Sequence, residues 1–152
     1  MLEIISTNNL NQARKEIQKL KKEKKEIKEI IVYAQDDNFN RKIFENLDVD
    51  IVIGLEFGFG QHNRSKNTGL NEVLCNLAKK NNIKIGIDIS RIIKLEKLEK
   101  AKILSKVMKN IFLCKKYGVK IVLFGENCSK QDVMSFFLSF GGSTKQARDA
   151  AS

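Results

Sequence analysis

The sequence predicts an α/β fold in which about five parallel strands alternate with helices. Five short segments rich in β-branched residues are separated by segments whose apolar residues recur at helical spacing. Strands that alternate with helices join into a parallel sheet through right-handed crossovers. The chain has 152 residues, of which 42% are hydrophobic, and no linker-like stretch divides it. We therefore expect a single α/β domain over residues 1–152.

The first half of the chain contains three predicted strands and two predicted helices. The strands are rich in isoleucine and valine and cover residues 2–6, 29–35 and 49–54. Asn8 or Asn9 is a suitable N-cap for the first helix, whose apolar residues recur at helical spacing. The polar face of this helix mixes lysine with glutamate, a pattern that fits an ion-paired surface as well as a binding surface. The second helix is short and amphipathic, and it extends to Phe44.

The second half begins with a long loop and continues with alternating helices and strands. The loop covers residues 55–67, and the two remaining strands cover residues 83–89 and 119–124. The helix after the loop is expected to start at Asn67 or Thr68.

Three further helices are predicted from their end signals. The longest runs from about Leu95 to Tyr117, because Gly118 is a typical left-handed stop. Ser129 is a suitable N-cap for the next helix, and Ser143-Thr-Lys-Gln matches the capping-box pattern for a short terminal one.

Two ways of closing the sheet are compatible with this alternation. An open doubly wound sheet needs no more strands than these five. A (β/α)₈ barrel needs three more units, so the chain can form only part of one. The alternation itself favours neither.

The positive charge of the chain is concentrated in one segment. The formal net charge is +10, and residues 91–120 alone carry ten lysines or arginines against two glutamates. Such a concentration is expected of a face that meets a polyanion.

The loop at residues 55–67 is the first candidate binding site. It follows the third strand, at the side of a parallel sheet where ligands bind. Phe57 and Phe59 alternate with glycines, and His62, Arg64 and Lys66 follow. Aromatic rings among basic groups suit unpaired bases and phosphates. The alternative is a connector whose phenylalanines pack under the sheet.

The long helix is the second candidate. Lys102, Lys106, Lys109 and Lys116 share one face, and almost no acidic residues are interleaved with them. Contact with phosphates is favoured over an ordinary solvated face for that reason. A second stripe is expected to be core, and its members are Ala101, Leu104, Val107, Met108, Ile111 and Cys114.

Several catalytic classes are excluded by missing residues. His62 is the only histidine in the sequence, so a histidine-rich metal site or a serine–histidine–aspartate arrangement has little to build on. Gly58-Phe-Gly60 lacks the third glycine of a dinucleotide fingerprint. The strand-end acids Asp88 and Glu126 could bind a metal ion, although a structural carboxylate is more common.

The cysteines and the N-terminus indicate the compartment. Cys75, Cys114 and Cys128 are far apart, and the first two fall in apolar helical patterns that predict buried, reduced thiols. The N-terminal MLEII has no long apolar run, so we expect no signal peptide or membrane anchor. A cytoplasmic protein is expected.

Four linked motifs resemble the archaeal ribonuclease P protein component 3 family. They are VDIV at 49–52, NTGLNEVLCNLAKKNNIKIGIDI at 67–89, KAKILSKVMKNIFLCKKYGVKIVLF at 100–124 and SKQDVMSFFLSFGGSTKQA at 129–147. The resemblance covers roughly residues 48–150. It implies a TIM-barrel-like fold, incomplete in a chain of this length.

The resemblance also implies a function. Members of the family are non-catalytic subunits that help ribonuclease P RNA to remove the 5′ leader of precursor tRNA, with divalent metal such as Mg²⁺ bound by the RNA and no cofactor in the protein. The implied partners are the RNA, protein component 2 and other protein subunits, and neither membrane nor DNA. Carried over to this chain, the expected RNA contacts are Arg64, Lys66, Lys102, Lys106, Lys109, Lys115 and Lys116.

Departures from the family pattern leave alternatives open. Glu72 stands where the family often has histidine, and Lys109 where arginine is common, which keeps the charge but loses the bidentate fork. The chain is also short at its N-terminus relative to the family. The competing hypotheses are a stand-alone metal-dependent phosphoesterase on a related barrel and a basic scaffold that binds an acidic partner.

Overall fold

The computed structural model describes residues 2–23, 29–46, 48–58 and 67–152. Its centre is a five-stranded parallel sheet in which each strand pairs with its neighbours in sequence, in the order β1-β2-β3-β4-β5. The strands are β1 (Leu2–Ile5), β2 (Glu29–Tyr33), β3 (Ile51–Ile53), β4 (Lys84–Asp88) and β5 (Ile121–Phe124).

Helices connect the strands and follow the last one. In chain order they are α1 (Leu10–Lys22), α2 (Asp37–Asn46), α3 (Glu72–Lys80), α4 (Ile89–Ile92), α5 (Lys97–Tyr117), α6 (Lys130–Ser139) and α7 (Thr144–Ala151). A 3₁₀ turn, Leu55–Phe57, follows β3.

The strand order decides between the two closures. A doubly wound sheet reverses its strand order at a switch point, whereas the strands of a barrel follow one another around it. The order observed here does not reverse, and one large core cluster unites buried residues of the helices with one face of the sheet. Within the described residues no strand joins β5 to β1. The barrel-like, incomplete α/β fold is therefore confirmed, and the doubly wound alternative does not fit.

The opposite face of the sheet is covered in its middle and open at β1. Ile31, Ile51 and Ile53 are buried there, packed against partly buried side chains of β2 and β5. Ile4 pairs in register with Ile31 and so points to the same face, yet it is 51% exposed. The face that points into the lumen of a closed barrel is therefore incompletely covered at this edge.

Local end signals are the most accurately predicted features. Asn9 caps α1, and its side chain accepts hydrogen bonds from two backbone N–H groups. Ser129 and Ser143 both form complete capping boxes. Gly118 ends α5 with a φ of 69°, in the left-handed region.

The predicted start of α3 is wrong. The helix begins at Glu72 and is capped by Asn71, whose side chain accepts a hydrogen bond from the Leu74 N–H. Residues 67–70 form a loop instead, because Gly69 has a φ of 76° and lies directly against the backbone of Leu55. A side chain at position 69 would clash with the Leu55 carbonyl, so the chain passes the 3₁₀ turn before it can become helical.

The start of α5 also differs. The helix begins at Lys97, two residues after the predicted position, and Glu96 before it has an extended backbone. A short helix, α4, follows β4 directly. No described helix is long and apolar enough to cross a membrane.

Candidate nucleic-acid interface

Helix α5 presents its lysines from a firmly packed position. Val107, Ile111 and Cys114 are completely buried on one side of the helix. The Asn110 side chain donates a hydrogen bond to the Thr68 carbonyl at 3.0 Å, and Gln146 of α7 donates one to the Ile111 carbonyl at 3.0 Å. These contacts fix the rotation of α5 about its axis.

The predicted core stripe of α5 is only partly correct. Met108 is 47% exposed and Ala101 is exposed, whereas Leu104 is half-buried. Ala101 and Met108 therefore lie on the outer side of the helix, away from the buried Val107, Ile111 and Cys114.

Four of the five predicted lysines of α5 lie at its surface. Lys102, Lys109, Lys115 and Lys116 are exposed, and the Lys116 ammonium lies 5.1 Å from the centre of the Tyr117 ring. Lys106 is half-buried and extends towards Gly58, beside the turn that follows β3. Among the described residues no carboxylate forms an ion pair with any of these five lysines. We call the four exposed lysines the lysine face.

Most of the predicted binding loop after β3 lies outside the described residues. Arg64 and Lys66, which the sequence also predicts as RNA contacts, lie outside the described residues, as do Phe59 and His62. Phe57 is described, and its ring lies under the Arg91 guanidinium, whose central carbon is 3.9 Å from the ring centre.

A polar pocket at the carboxyl ends of the strands is the feature that sequence reasoning missed. The Tyr33 hydroxyl donates to the Asp88 carboxylate at 2.9 Å and accepts from Arg91 at 3.1 Å. The pocket has a volume of about 610 Å³ and is lined by Ser6, Thr7, Asn8, Tyr33, Gln35, Asp88 and Arg91. The linked residues are 55 and 58 positions apart in sequence, so only the strand register brings them together.

Asp88 has a structural role in this cluster. Its side chain caps α4 by accepting the Arg91 N–H at 3.0 Å, while its other oxygen accepts the Tyr33 hydroxyl. Burial raises the pKa of Tyr33 to about 12, and the neutral phenol donates its proton to the hydrogen bond with Asp88. Among the described residues no group of three or more metal-ligating side chains is placed to hold a metal ion. Both oxygens of Asp88 thus have a structural partner, which fits the structural-carboxylate interpretation of this residue.

Glu56 lies directly beneath this cluster. Its side chain is almost completely buried, and its Oε1 accepts the Asp88 backbone N–H at 3.0 Å. Burial raises the pKa of Glu56 to about 7. A buried acid in a glycine-rich segment gives no signal in the sequence, because such loop acids are usually exposed.

The three cysteines are reduced. Cys75 and Cys114 are buried, as predicted, and Cys128 is exposed. Burial raises the pKa of the Cys75 thiol to about 11 and that of Cys114 still further, so both are inert thiols.

The sequence is similar to those of archaeal proteins named ribonuclease P protein component 3. The chain is 32% identical over 122 residues to ribonuclease P protein component 3 of Methanococcus vannielii. The alignment covers 80% of this chain and 48% of that protein. The chain is 31% identical over 106 residues to the protein of the same name from Methanosarcina mazei, covering 70% and 41% respectively. The chain thus spans about half the length of the curated relatives it matches.

A solved structure supports the fold. A chain in the cryo-EM structure of archaeal ribonuclease P with mature tRNA superposes with a TM-score of 0.80 at 23% identity, covering 98% of this chain and 63% of that one. The family model described as RNase P subunit p30 matches residues 5–151, which is nearly the whole sequence. The chain therefore belongs to the ribonuclease P subunit p30 family.

Proposed function

We propose that this chain is a protein subunit of ribonuclease P that binds the catalytic RNA through α5 and supports removal of the 5′ leader of precursor tRNA. The observation that carries the proposal is the lysine face, four exposed ammonium groups without a carboxylate partner among the described residues. Membership in the family supports the assignment to the ribonuclease P particle, since the relatives are named as ribonuclease P components.

The geometry of the helix suits a nucleic-acid backbone. Lys102 and Lys116 are fourteen residues apart, which corresponds to about 21 Å along a helix. The sequence has no acidic residue from position 100 to position 117, so mutual repulsion of the lysines is relieved best by an external polyanion. Each ammonium–phosphate contact releases counterions and adds affinity without sequence specificity.

The proposed role is non-catalytic. The strand-end carboxylate Asp88, which a metal-dependent phosphoesterase would use as a ligand, is held by Tyr33 and by the N-terminus of α4. We propose that the divalent metal of the reaction, such as Mg²⁺, is bound by the RNA.

The proposed setting is a cytoplasmic ribonucleoprotein particle. Further partners are protein component 2 and the other protein subunits, with no role for a membrane or DNA. Ile4 and the open edge at β1 offer an apolar surface to such a protein.

The test is a comparison of two double variants in reconstituted ribonuclease P. Lys109→Gln with Lys116→Gln removes two members of the lysine face. Lys15→Gln with Lys19→Gln removes two exposed lysines of α1, a helix that also carries Glu16, and serves as the matched control. We expect the first pair to lower the slope of log K against log salt by about 0.7 to 0.9 for each lost contact, and to reduce leader cleavage at moderate salt.

The outcomes are distinct. If both double variants behave like the parent chain in binding and cleavage, the lysine face is not the RNA contact. If the purified chain alone cleaves a phosphoester with added Mg²⁺, the non-catalytic role is wrong.

A further inference from the structure

The lysine face surrounds an exposed aromatic ring. Phe112 is 63% exposed at the outer side of α5. On a helix the nearest neighbours of a residue are three and four positions away in each direction. For Phe112 these are Met108, Lys109, Lys115 and Lys116. Three of the four side chains around the ring are therefore cations.

The ring cannot turn inward. The buried side of α5 is filled by Val107, Ile111 and Cys114. The hydrogen bonds from Asn110 to Thr68 and from Gln146 to the Ile111 carbonyl hold the helix in this rotation. Phe112 and the neighbouring Met108, which is 47% exposed, together leave an apolar surface in water among ammonium groups, and this surface points to an external ligand.

We propose that Phe112 is a stacking platform for an unpaired RNA base, with Lys109 and Lys116 on one side of the ring and Lys115 on the other binding the adjoining phosphates. The inference rests on the proposed RNA-binding function of α5 and adds the kind of RNA that the surface selects. An aromatic ring stacks on the face of any base, while lysines pair with the backbone. A duplex keeps its base faces stacked on one another, so the surface selects a single-stranded segment.

A protein partner fits this surface less well. The cores of protein–protein interfaces are depleted in lysine, and burying three ammonium groups around one phenylalanine carries a large desolvation cost. Phosphates neutralise the same three groups while leaving them partly hydrated. The composition around Phe112 therefore favours RNA.

The test measures binding of the full chain to two RNAs of equal length, one single-stranded and one duplex, over a range of salt concentrations. The single strand carries a fluorescent adenine analogue whose emission falls when it stacks. The variants are Phe112→Ala and Phe112→Trp. Leu138→Ala on α6 is the matched control, because Leu138 is an apolar residue that is 48% exposed and lies outside the lysine face.

We expect Phe112→Ala to weaken single-strand binding about tenfold and to abolish the quenching. Duplex binding and the salt slope should remain those of the parent chain, because the lysines are intact. Phe112→Trp should bind at least as well as the parent, and Leu138→Ala should bind equally well. Since Phe112 is exposed, its replacement leaves the melting temperature unchanged, and a thermal melt verifies this.

Two results would overturn the proposal. Unchanged single-strand binding by Phe112→Ala shows that the ring does not stack on a base. The proposal that the lysine face binds RNA is still supported in that case if the lysine variants weaken binding. Loss of association with another ribonuclease P protein, with single-strand binding intact, assigns Phe112 to a protein interface. If the lysine variants also leave binding unchanged, the proposed RNA contact itself fails.

Discussion

Glu56 couples the stability of the fold to pH. Its carboxyl is buried beneath the Tyr33–Asp88–Arg91 cluster, and its pKa is raised from 4.5 to about 7. Between about pH 4.5 and pH 7, the folded state therefore keeps a proton that the unfolded state has lost. Stability is fully present below the unfolded pKa and falls as pH rises through the folded one. The loss amounts to about 3 kcal/mol at most.

We expect the urea midpoint of the parent chain to fall from pH 5 to pH 8, and that of Glu56→Gln to remain nearly constant. The amide resembles the protonated acid in shape and cannot ionise. Glu45→Gln is the control, because its ion pair with Arg41 lowers the pKa of Glu45, which therefore titrates below this range. A parent chain whose midpoint does not change over this range contradicts the assignment.

At the level of single residues, the sequence predicts the groups that act locally and misses those that act across the sheet. The lysines of α5 were predicted because their spacing and the missing acids are visible in one segment. The partners of Tyr33 are not visible in this way, because Asp88 and Arg91 reach it only through pairing of β2 with β3 and β3 with β4. Glu56 was missed for the same reason, since its acceptor role depends on β4.

At the level of elements, the start of α3 is the position at which the structure differs most clearly from the prediction made from the sequence pattern. The pattern predicts Asn67 or Thr68 as the first residue, whereas the structure places the cap at Asn71. Asn67 instead accepts the Gly69 N–H and shapes the preceding loop. Both are asparagines followed by a helix-compatible segment, so the backbone of Gly69 against Leu55, and not the residue type, decides between them.

Asn71→Ala should destabilise the chain by about 1 kcal/mol, because the Leu74 N–H loses its acceptor at the helix end. Amide exchange measured by NMR should accelerate at Leu74 and its neighbours in the first turn of α3. Asn67→Ala is the paired variant, and it should leave exchange in that turn unchanged. Faster exchange at Leu74 in Asn67→Ala alone would show that the helix begins where the sequence pattern places it.

At the level of the whole molecule, the alternation of strands and helices predicted the fold class but not the strand order. A doubly wound sheet and a barrel segment share the same alternation, and they differ in strand order and in the side of the sheet on which the connecting helices lie. That choice is made by long-range burial. Here one cluster joins the helices to one face of the sheet, while Ile31, Ile51 and Ile53 form a separate cluster on the other.

The open sheet predicts unequal protection of its strands. β3 lies between two partners and is completely buried, whereas β1 pairs only with β2 among the described residues and leaves Ile4 half exposed. β5 is the other edge, but α7 packs against it. Local opening is easiest where strands have few buried contacts and an unpaired edge. The amides of β1 should therefore exchange fastest, those of β5 more slowly, and those of β3 slowest.

Hydrogen exchange followed by mass spectrometry of the isolated chain measures this order directly. A dilution series is the control, because association through the open edge would slow exchange in β1 as concentration rises and leave β3 unaffected. Protection of β1 equal to that of β3 at every concentration would mean that the edge is already covered within one chain. Ile4 would then be unavailable to a protein partner.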